Sequence, residues 1–203
     1  MHLRELAIPD AYEVTPQQLP DDRGLFLEWY RFDLIEAHVG HSLQLRQANT
    51  SVSSKGVVRG IHFADIPPSQ AKYVTLAAGS AIDFVVDLRV GSPTFGKWDS
   101  VLLDTVDRRA VYISEGLGHC FVALTENATV SYLVSEVYNH AAEHGINPLD
   151  PTVALLFPGE AGELLLSPKD TDAPSLIEAR DSGLLPTWDA ARAYYDTLSE
   201  SRS

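Results

Sequence analysis

The chain has 203 residues, 45% of them hydrophobic, with 13 Gly and 12 Pro scattered rather than clustered, which fits one globular domain with a sizeable core. The 28 Asp and Glu against 15 Lys and Arg give a formal net charge of −13, which argues against binding a long nucleic acid, while a small anionic ligand stays compatible if a few cations are focused in one pocket. The single cysteine, Cys120, excludes an internal disulfide and a cysteine-rich zinc site, and no apolar run is long enough to span a bilayer.

The first residues include Arg4, Glu5, Pro9 and Asp10 and lack a signal-peptide core, so a soluble, cytoplasmic protein is expected. A short helix is predicted over 32–39, followed by strands over 43–49, 57–63 and 72–76. The segment 81–88 alternates, with Ile82, Phe84, Val86 and Leu88 on one face and Asp83, Val85 and Asp87 on the other. Further strands are predicted over 101–103, 110–113, 121–124 and 129–137, separated by turn signals such as Gly91-Ser92-Pro93 and Glu126-Asn127. Short strands in this number, with little helix between them, predict an all-β double-sheet jelly roll over residues 1–180 with short peripheral helices. The tail, 181–203, is predicted to be helical over 187–199, with Thr187 as N-cap and Trp188, Ala191, Tyr195 and Leu198 on one side, packed on the barrel or extending from it.

The chemistry centres on Arg59-Gly60-Ile61-His62-Phe63, with Lys72 ten residues after His62 and Tyr132 on a later apolar strand. A histidine inside a strand is more often structural than catalytic, but cations so close to apolar runs favour a shared cavity. Arg59 and His62 are three apart, and an ideal pleat aims them at opposite faces; only a bulge or kink at Gly60 brings both into one cavity. Tyr132, taken alone, reads as a core aromatic with a bonded hydroxyl. His119 follows Gly116-Leu117-Gly118 and can point inward with Phe121 and Ala123. Asp83 and Asp87 are expected either to pair with Arg or Lys or to face solvent, as support residues. Two separated histidines, with Gly60 and Ala64 flanking the first, fall short of a metal's ligand set, so no metal and no other cofactor is expected.

These residues resemble the dTDP-4-dehydrorhamnose 3,5-epimerases and their 3-epimerase relatives. The resemblance runs through Asp22-Arg23-Gly24-Leu25-Phe26-Leu27-Glu28, Gln47-Ala48-Asn49, the 58–63 segment, Gln70-Ala71-Lys72, Val86-Asp87-Leu88-Arg89, Gly91 to Trp98, Glu115 to Phe121, Tyr132, Asp150-Pro151 and Leu166-Ser167-Pro168-Lys169-Asp170. It implies a metal-free cupin-type jelly-roll homodimer acting on a dTDP-linked 4-keto-6-deoxy sugar. His62 matches the family's base, Asp170 the carboxylate that orients it, Tyr132 the acid on the opposite face and Lys72 the cation beside the enolate oxygen. By the same resemblance Arg59, Gln47, Asn49 and His119 line the sugar and diphosphate, while Arg23, Phe26 and Glu28 contact the nucleotide, across the dimer or within the subunit.

Two departures bear on which carbons are inverted. Gly145-Ile146-Asn147-Pro148-Leu149-Asp150-Pro151 lacks a Trp and an Arg of the usual pattern, and Leu133 replaces the basic residue that often follows the tyrosine. Pro148-Leu149 together with Lys72-Tyr73-Val74-Thr75 resembles the branch that supplies antibiotic deoxysugars and often inverts C3 alone. The alternatives are the full 3,5-epimerase and a sugar-nucleotide 3,4-ketoisomerase, which Tyr132 disfavours.

Overall fold

A strand that is apolar on both faces needs cover on both sides, and this requirement organises the molecule. The computed structural model describes residues 1–67 and 69–200. The strands are β1 (His2–Glu5), β2 (Ala11–Thr15), β3 (Gln18–Asp21), β4 (Gly24–Leu27), β5 (Gln47–Ser53), β6 (Val58–Ala64), β7 (Lys72–Ala78), β8 (Ser80–Asp87), β9 (Trp98–Asp104), β10 (Ala110–Ile113), β11 (Leu117–Ala123), β12 (Ala128–Val134) and β13 (Glu143–Gly145). The helices are α1 (Phe32–Val39), α2 (Pro168–Thr171), α3 (Leu176–Asp181) and α4 (Trp188–Glu200). A six-stranded sheet in the order β1-β2-β10-β7-β12-β5 faces a five-stranded sheet in the order β13-β6-β11-β8-β9, and β3 and β4 form a separate hairpin. This is the expected jelly roll, with every pair of these strands antiparallel.

Three apolar layers result. Val74, Leu76, Val85, Val111, Phe121 and Val130 fill the space between the sheets. Behind the five-stranded sheet, Phe84, Val86, Cys120 and Val122 pack against Ile146 and against Leu176 and Ala179 of α3. Behind the six-stranded sheet, Val14, Tyr73, Tyr112 and Leu133 meet Ile35 of α1. The alternation along β8 thus divides two apolar layers, and from Asp83 to Asp87 both faces of that strand are covered. That corrects one of the two expectations for the aspartates: Asp83 and Asp87 are fully buried rather than on a solvent face.

Burial of Asp87 is offset by pairing. Its carboxylate accepts bonds from Arg89 Nε (2.9 Å) and Nη2 (2.9 Å) and from the hydroxyls of Ser92 and Thr94 (both 2.6 Å). Arg89, itself fully buried, also reaches Asp10 at 2.6 Å and lies 4.6 Å from the Trp188 ring of α4. A buried charge is tolerated when every donor is used, and the planar fork of Arg89 spends its donors on two carboxylates, the Pro9 carbonyl and the Tyr195 hydroxyl. The same group anchors the tail helix. Thr187 caps it by accepting the Ala190 N–H (3.1 Å), Tyr195 donates to the Glu115 carbonyl (2.5 Å), and Arg192 pairs with Asp10 (3.2 Å). Residues 201–203 of the predicted tail lie outside the described residues. No helix among the described residues is long and apolar enough to cross a membrane.

Helix α1 occupies the predicted span and ends at Gly40, whose φ of 98° places it in the left-handed conformation that closes a helix. The predicted strand over 43–49 begins later, at Gln47, because Leu43 is buried in the layer beneath α1 instead of pairing. The short strands β1 to β4 and β13 carry no periodicity long enough to be read from sequence.

The pairing of β6 with β11 changes register once: His119 lies opposite His62 and Phe121 opposite Arg59, so Gly60 and Ile61 together face Cys120 alone. This is the bulge that the spacing of Arg59 and His62 demands. Gly60 has a φ of 130°, and a Cβ there would stand 2.6 Å from the Cys120 Cα. Gly60→Ala is expected to lower stability by more than about 2 kcal/mol, through the disfavoured φ and the backbone collision together. Thermal unfolding checks this; an unchanged Tm would mean that the bulge is not needed by the fold.

Candidate active site

The bulge decides what β6 presents to the space between the sheets. His119 and Phe121 are two apart on β11 and share a face, so their partners His62 and Arg59 share it as well. On the facing sheet, Tyr132 of β12 lies opposite Asn49 of β5 and Val74 of β7, and two residues along Val134 lies opposite Gln47 and Lys72. Alternation therefore points Tyr132, Asn49, Gln47 and Lys72 in one direction. All eight polar or aromatic side chains line one cavity of about 710 Å³. Asp170 joins them from α2, outside both sheets.

His62 Nε2 lies 2.7 Å from Asp170 Oδ1. The Ser167 hydroxyl donates to Asp170 Oδ2 at 2.8 Å, while the Asp170 N–H donates back to Ser167 Oγ at 3.2 Å, so the cap of α2 also fixes the carboxylate. Burial acts most strongly on Asp170 and pushes its pKa up. The bonds from His62 and Ser167 and the nearby positive charges outweigh it, leaving the carboxyl below its usual range. The Asp170 carboxylate fixes the orientation of the imidazole, and His62 Nδ1 makes no hydrogen bond to any described residue. This is the arrangement of a base with an orienting carboxylate.

The other groups are similarly held. His119 Nε2 lies 2.7 Å from Oδ2 of Asp83, whose Oδ1 has no partner among the described residues. Asp83 thus pairs with a histidine, outside both sequence expectations of an Arg or Lys partner or a solvent face. Gln47 donates to Asn49 Oδ1 at 2.7 Å, and Arg59 Nε donates to Ser53 Oγ at 3.1 Å. Lys72 is buried, which lowers its pKa, while the charges of Glu143 and Asp83 act to restore it. Burial raises the pKa of Tyr132; Arg59 opposes that shift and Glu143 adds to it, so the phenol holds its proton at neutral pH. Neither the Lys72 ammonium nor the Tyr132 hydroxyl bonds to a described residue, and both are available to a ligand.

Arg23, Phe26 and Glu28 are not brought to this cavity. They lie on the hairpin of β3 and β4 or just after it, where Arg23 pairs with Asp21, Glu28 pairs with Arg31, and Phe26 is 64% exposed. Glu143, Gln70, Tyr138 and Lys169 also line the cavity. Lys169 was legible as the neighbour of Asp170 in the Ser167-Pro168-Lys169-Asp170 segment, whereas Glu143 sits on a three-residue strand that leaves no pattern in the sequence. Among the described residues no group of three or more His, Cys, Asp or Glu is placed to hold a metal ion.

The cavity of this jelly roll thus brings together a paired histidine, a phenol and a buried lysine, groups whose chemistry includes taking up and giving up protons. The family model of dTDP-4-dehydrorhamnose 3,5-epimerase matches residues 5–178. The chain is 55% identical over 193 residues to a dTDP-4-dehydrorhamnose 3-epimerase of Streptomyces niveus, covering 95% of this chain and 92% of that one. It is 53% identical over 198 residues to a dTDP-4-dehydrorhamnose 3,5-epimerase of Mycolicibacterium smegmatis, covering 98% and 97%. Its structure is similar to the rmlC epimerase of Mycobacterium tuberculosis, with a TM-score of 0.95 and 53% identity over 98% of this chain and 100% of that one. It is also similar to ChmJ, a 3′-monoepimerase from Streptomyces bikiniensis in complex with dTDP-quinovose, with a TM-score of 0.92 and 42% identity over 96% and 98%. The chain belongs to the dTDP-4-dehydrorhamnose 3,5-epimerase family and is an isomerase-class enzyme, an epimerase of dTDP-linked 4-keto-6-deoxy sugars.

The lowered pKa of Asp170 has a consequence for stability. Its pairing stabilises the fold above the unfolded-state value of about 3.9, and that contribution is lost as the pH falls through the lower folded-state value. Asp170→Asn is expected to be less stable than the parent at pH 7, with a deficit that is smaller at pH 2. Urea unfolding at the two pH values checks this; an equal deficit at both would mean that the charge of Asp170 adds nothing to stability.

Proposed function

We propose that this enzyme inverts C3 of dTDP-4-keto-6-deoxyglucose through an enolate, as a step in making a deoxysugar for a natural product. The observation that carries the reading is the placement of His62 and Tyr132 on facing sheets of one cavity that also holds the unbonded ammonium of Lys72. His62 takes the proton from C3, and Asp170 stabilises the imidazolium that forms. The electron pair of the broken C–H bond moves into the C4 carbonyl, and the oxyanion develops beside Lys72. The Tyr132 phenol then returns a proton to C3 from the other face, forming the new C–H bond with inverted configuration. Solvent afterwards reprotonates the phenolate and takes the proton from His62.

Arg59 and His119, with Gln47 and Asn49, hold the sugar and diphosphate in this reading; the guanidinium of Arg59 has donors left over after Ser53 for paired oxygens. Arg23, Phe26 and Glu28 serve the nucleotide of a second copy. Their place on a hairpin outside the cavity, with Leu19, Leu25 and Phe26 exposed along it, supports a homodimer in which the hairpin reaches the neighbouring barrel. No step calls on a metal or another cofactor.

The choice of C3 alone rests on the similarity to enzymes described as 3-epimerases. The 3,5-epimerase reading stays beside it because a relative of that description is nearly as similar. The sequence departures do not separate the two: Leu133 is buried in the layer under α1, and neither it nor Asn147, Pro148 or Leu149 lines the cavity.

The test is proton NMR of the reaction with dTDP-4-keto-6-deoxyglucose in heavy water. Deuterium and inversion at C3 alone are expected, with His62→Asn at least about 100-fold slower, as for the loss of a general base. Deuterium at both C3 and C5 would make this the full 3,5-epimerase, and deuterium at neither would defeat the enolate reading.

A further inference from the structure

The turn between β10 and β11 holds a carboxyl that the candidate active site does not use. Glu115 is only 2% exposed. Its Oε1 accepts a long bond of 3.4 Å from the Ser135 hydroxyl, and its Oε2 has no hydrogen-bond partner among the described residues. The residue lines a cavity of about 80 Å³, separate from the large one, between α4, the segment leading into β5 and the segment following β12. A polar cavity of that size has room for water. The strands nearby are held by sheet ladders, whereas α4 is held across them by side chains. Chief among these are Tyr195, whose hydroxyl bonds to the Glu115 carbonyl, Arg192 on Asp10, and Trp188 against Arg89. The helix also lies beyond residues 5–178, which the family model matches, while Glu115 lies within them.

An ionised carboxylate with one long bond to replace its water is costly, and a neutral carboxyl in the same place is much less so. We propose that Glu115 is a proton-dependent latch on the tail helix: with the carboxyl neutral α4 stays seated, and with the carboxyl ionised α4 opens beside Tyr194 and admits water. The electrostatics agree. Burial pushes the Glu115 pKa up to about 7, and the bonds from its own N–H and from Ser135 oppose that only in part. The groups facing it are Tyr194 and Tyr195 from α4, Tyr112 from β10, Glu136 after β12 and Arg46 before β5. Burial raises the pKa of all three phenols and the Glu115 charge raises it further, so they stay neutral near pH 7. Elsewhere α4 meets Asp10, Arg89 and His41, whose ring stacks on Tyr195 at 6.2 Å. Once α4 opens, Glu115 ionises at the ordinary value of about 4.3. Between that value and about 7 the closed form keeps a proton that the open form has released, so closure weakens as the pH rises through this window and levels off above it.

The experiment is hydrogen exchange read by mass spectrometry over residues 188–200 at pH 5.5 and pH 8.5, corrected for intrinsic exchange rates, in the parent and in Glu115→Gln. The amide keeps the shape of the carboxyl and stays neutral at both pH values; Glu115→Met takes its place if that variant does not fold. Protection of α4 in the parent is expected to fall by about tenfold or more at the higher pH, and in the neutral variant to stay within about threefold. Unchanged protection in the parent overturns the proposal. An equal fall in parent and variant overturns it as well, because the titrating group would then be His41 or another neighbour of the helix.

Discussion

The site depends on one irregularity, the extra residue that β6 holds against β11. Two residues, Gly60 and Ile61, share the place opposite Cys120, and this sets Arg59 and His62 on the same face. A regular pleat would send one of them into the layer behind the sheet, where Ile61, Cys120 and Val122 pack against Ile146 and leave no place for a guanidinium or an imidazole. Glycine is required at the bulge for two separate reasons: its φ of 130° disfavours a side chain, and the backbone of Cys120 occupies the space a Cβ would need. The chemistry of the cavity is thus set first by backbone geometry and only then by the choice of polar side chains.

The second constraint is that the two sheets face each other across a partly dry space. A proton taken by a group on one sheet and returned by a group on the other crosses from one face of a bound sugar to the opposite one, which is the geometry that inversion needs. The dryness has costs that the site carries openly. Lys72 is buried without a hydrogen bond to a described residue, and Asp83 keeps one buried oxygen without a partner among the described residues while its other oxygen holds His119. Arg89 and Asp87 are no less buried, yet they are fully paired and tie the N-terminal segment, the loop after β8 and the tail helix together. The paired Arg89 and Asp87 hold the fold, while Lys72, which bonds to no described residue, faces the cavity where a ligand is expected.

Much of this was legible in the sequence. Alternation from 81 to 88 marked β8, the Thr187 cap and the spacing of Ala191 and Tyr195 marked α4, and the three-residue spacing of Arg59 and His62 demanded the bulge at Gly60. The burial of Asp83 was not legible, because a strand covered on both faces and one covered on a single face can share the same alternation until the second covering layer is known. Glu143 was hidden by the brevity of β13, whose position is fixed by pairing with β6 and by no pattern of its own. Arg23, Phe26 and Glu28 were found through resemblance alone. Their hairpin stands outside the barrel, so the cavity of a single chain holds none of them.

The central claim is that proton removal and proton return belong to different sheets, and Tyr132→Phe tests it most directly. Loss of the phenol leaves His62, Asp170 and Lys72 in place, so the enolate can still form and collapse back from the same side. The rate at which the C3 proton exchanges with heavy water and the rate of net inversion should be measured on one sample by NMR. The account predicts that exchange in Tyr132→Phe stays within about tenfold of the parent while inversion falls by about 100-fold or more, the usual range for losing a general acid. Equal loss of both rates would contradict it, because removal and return would then share a group that the structure places on only one side.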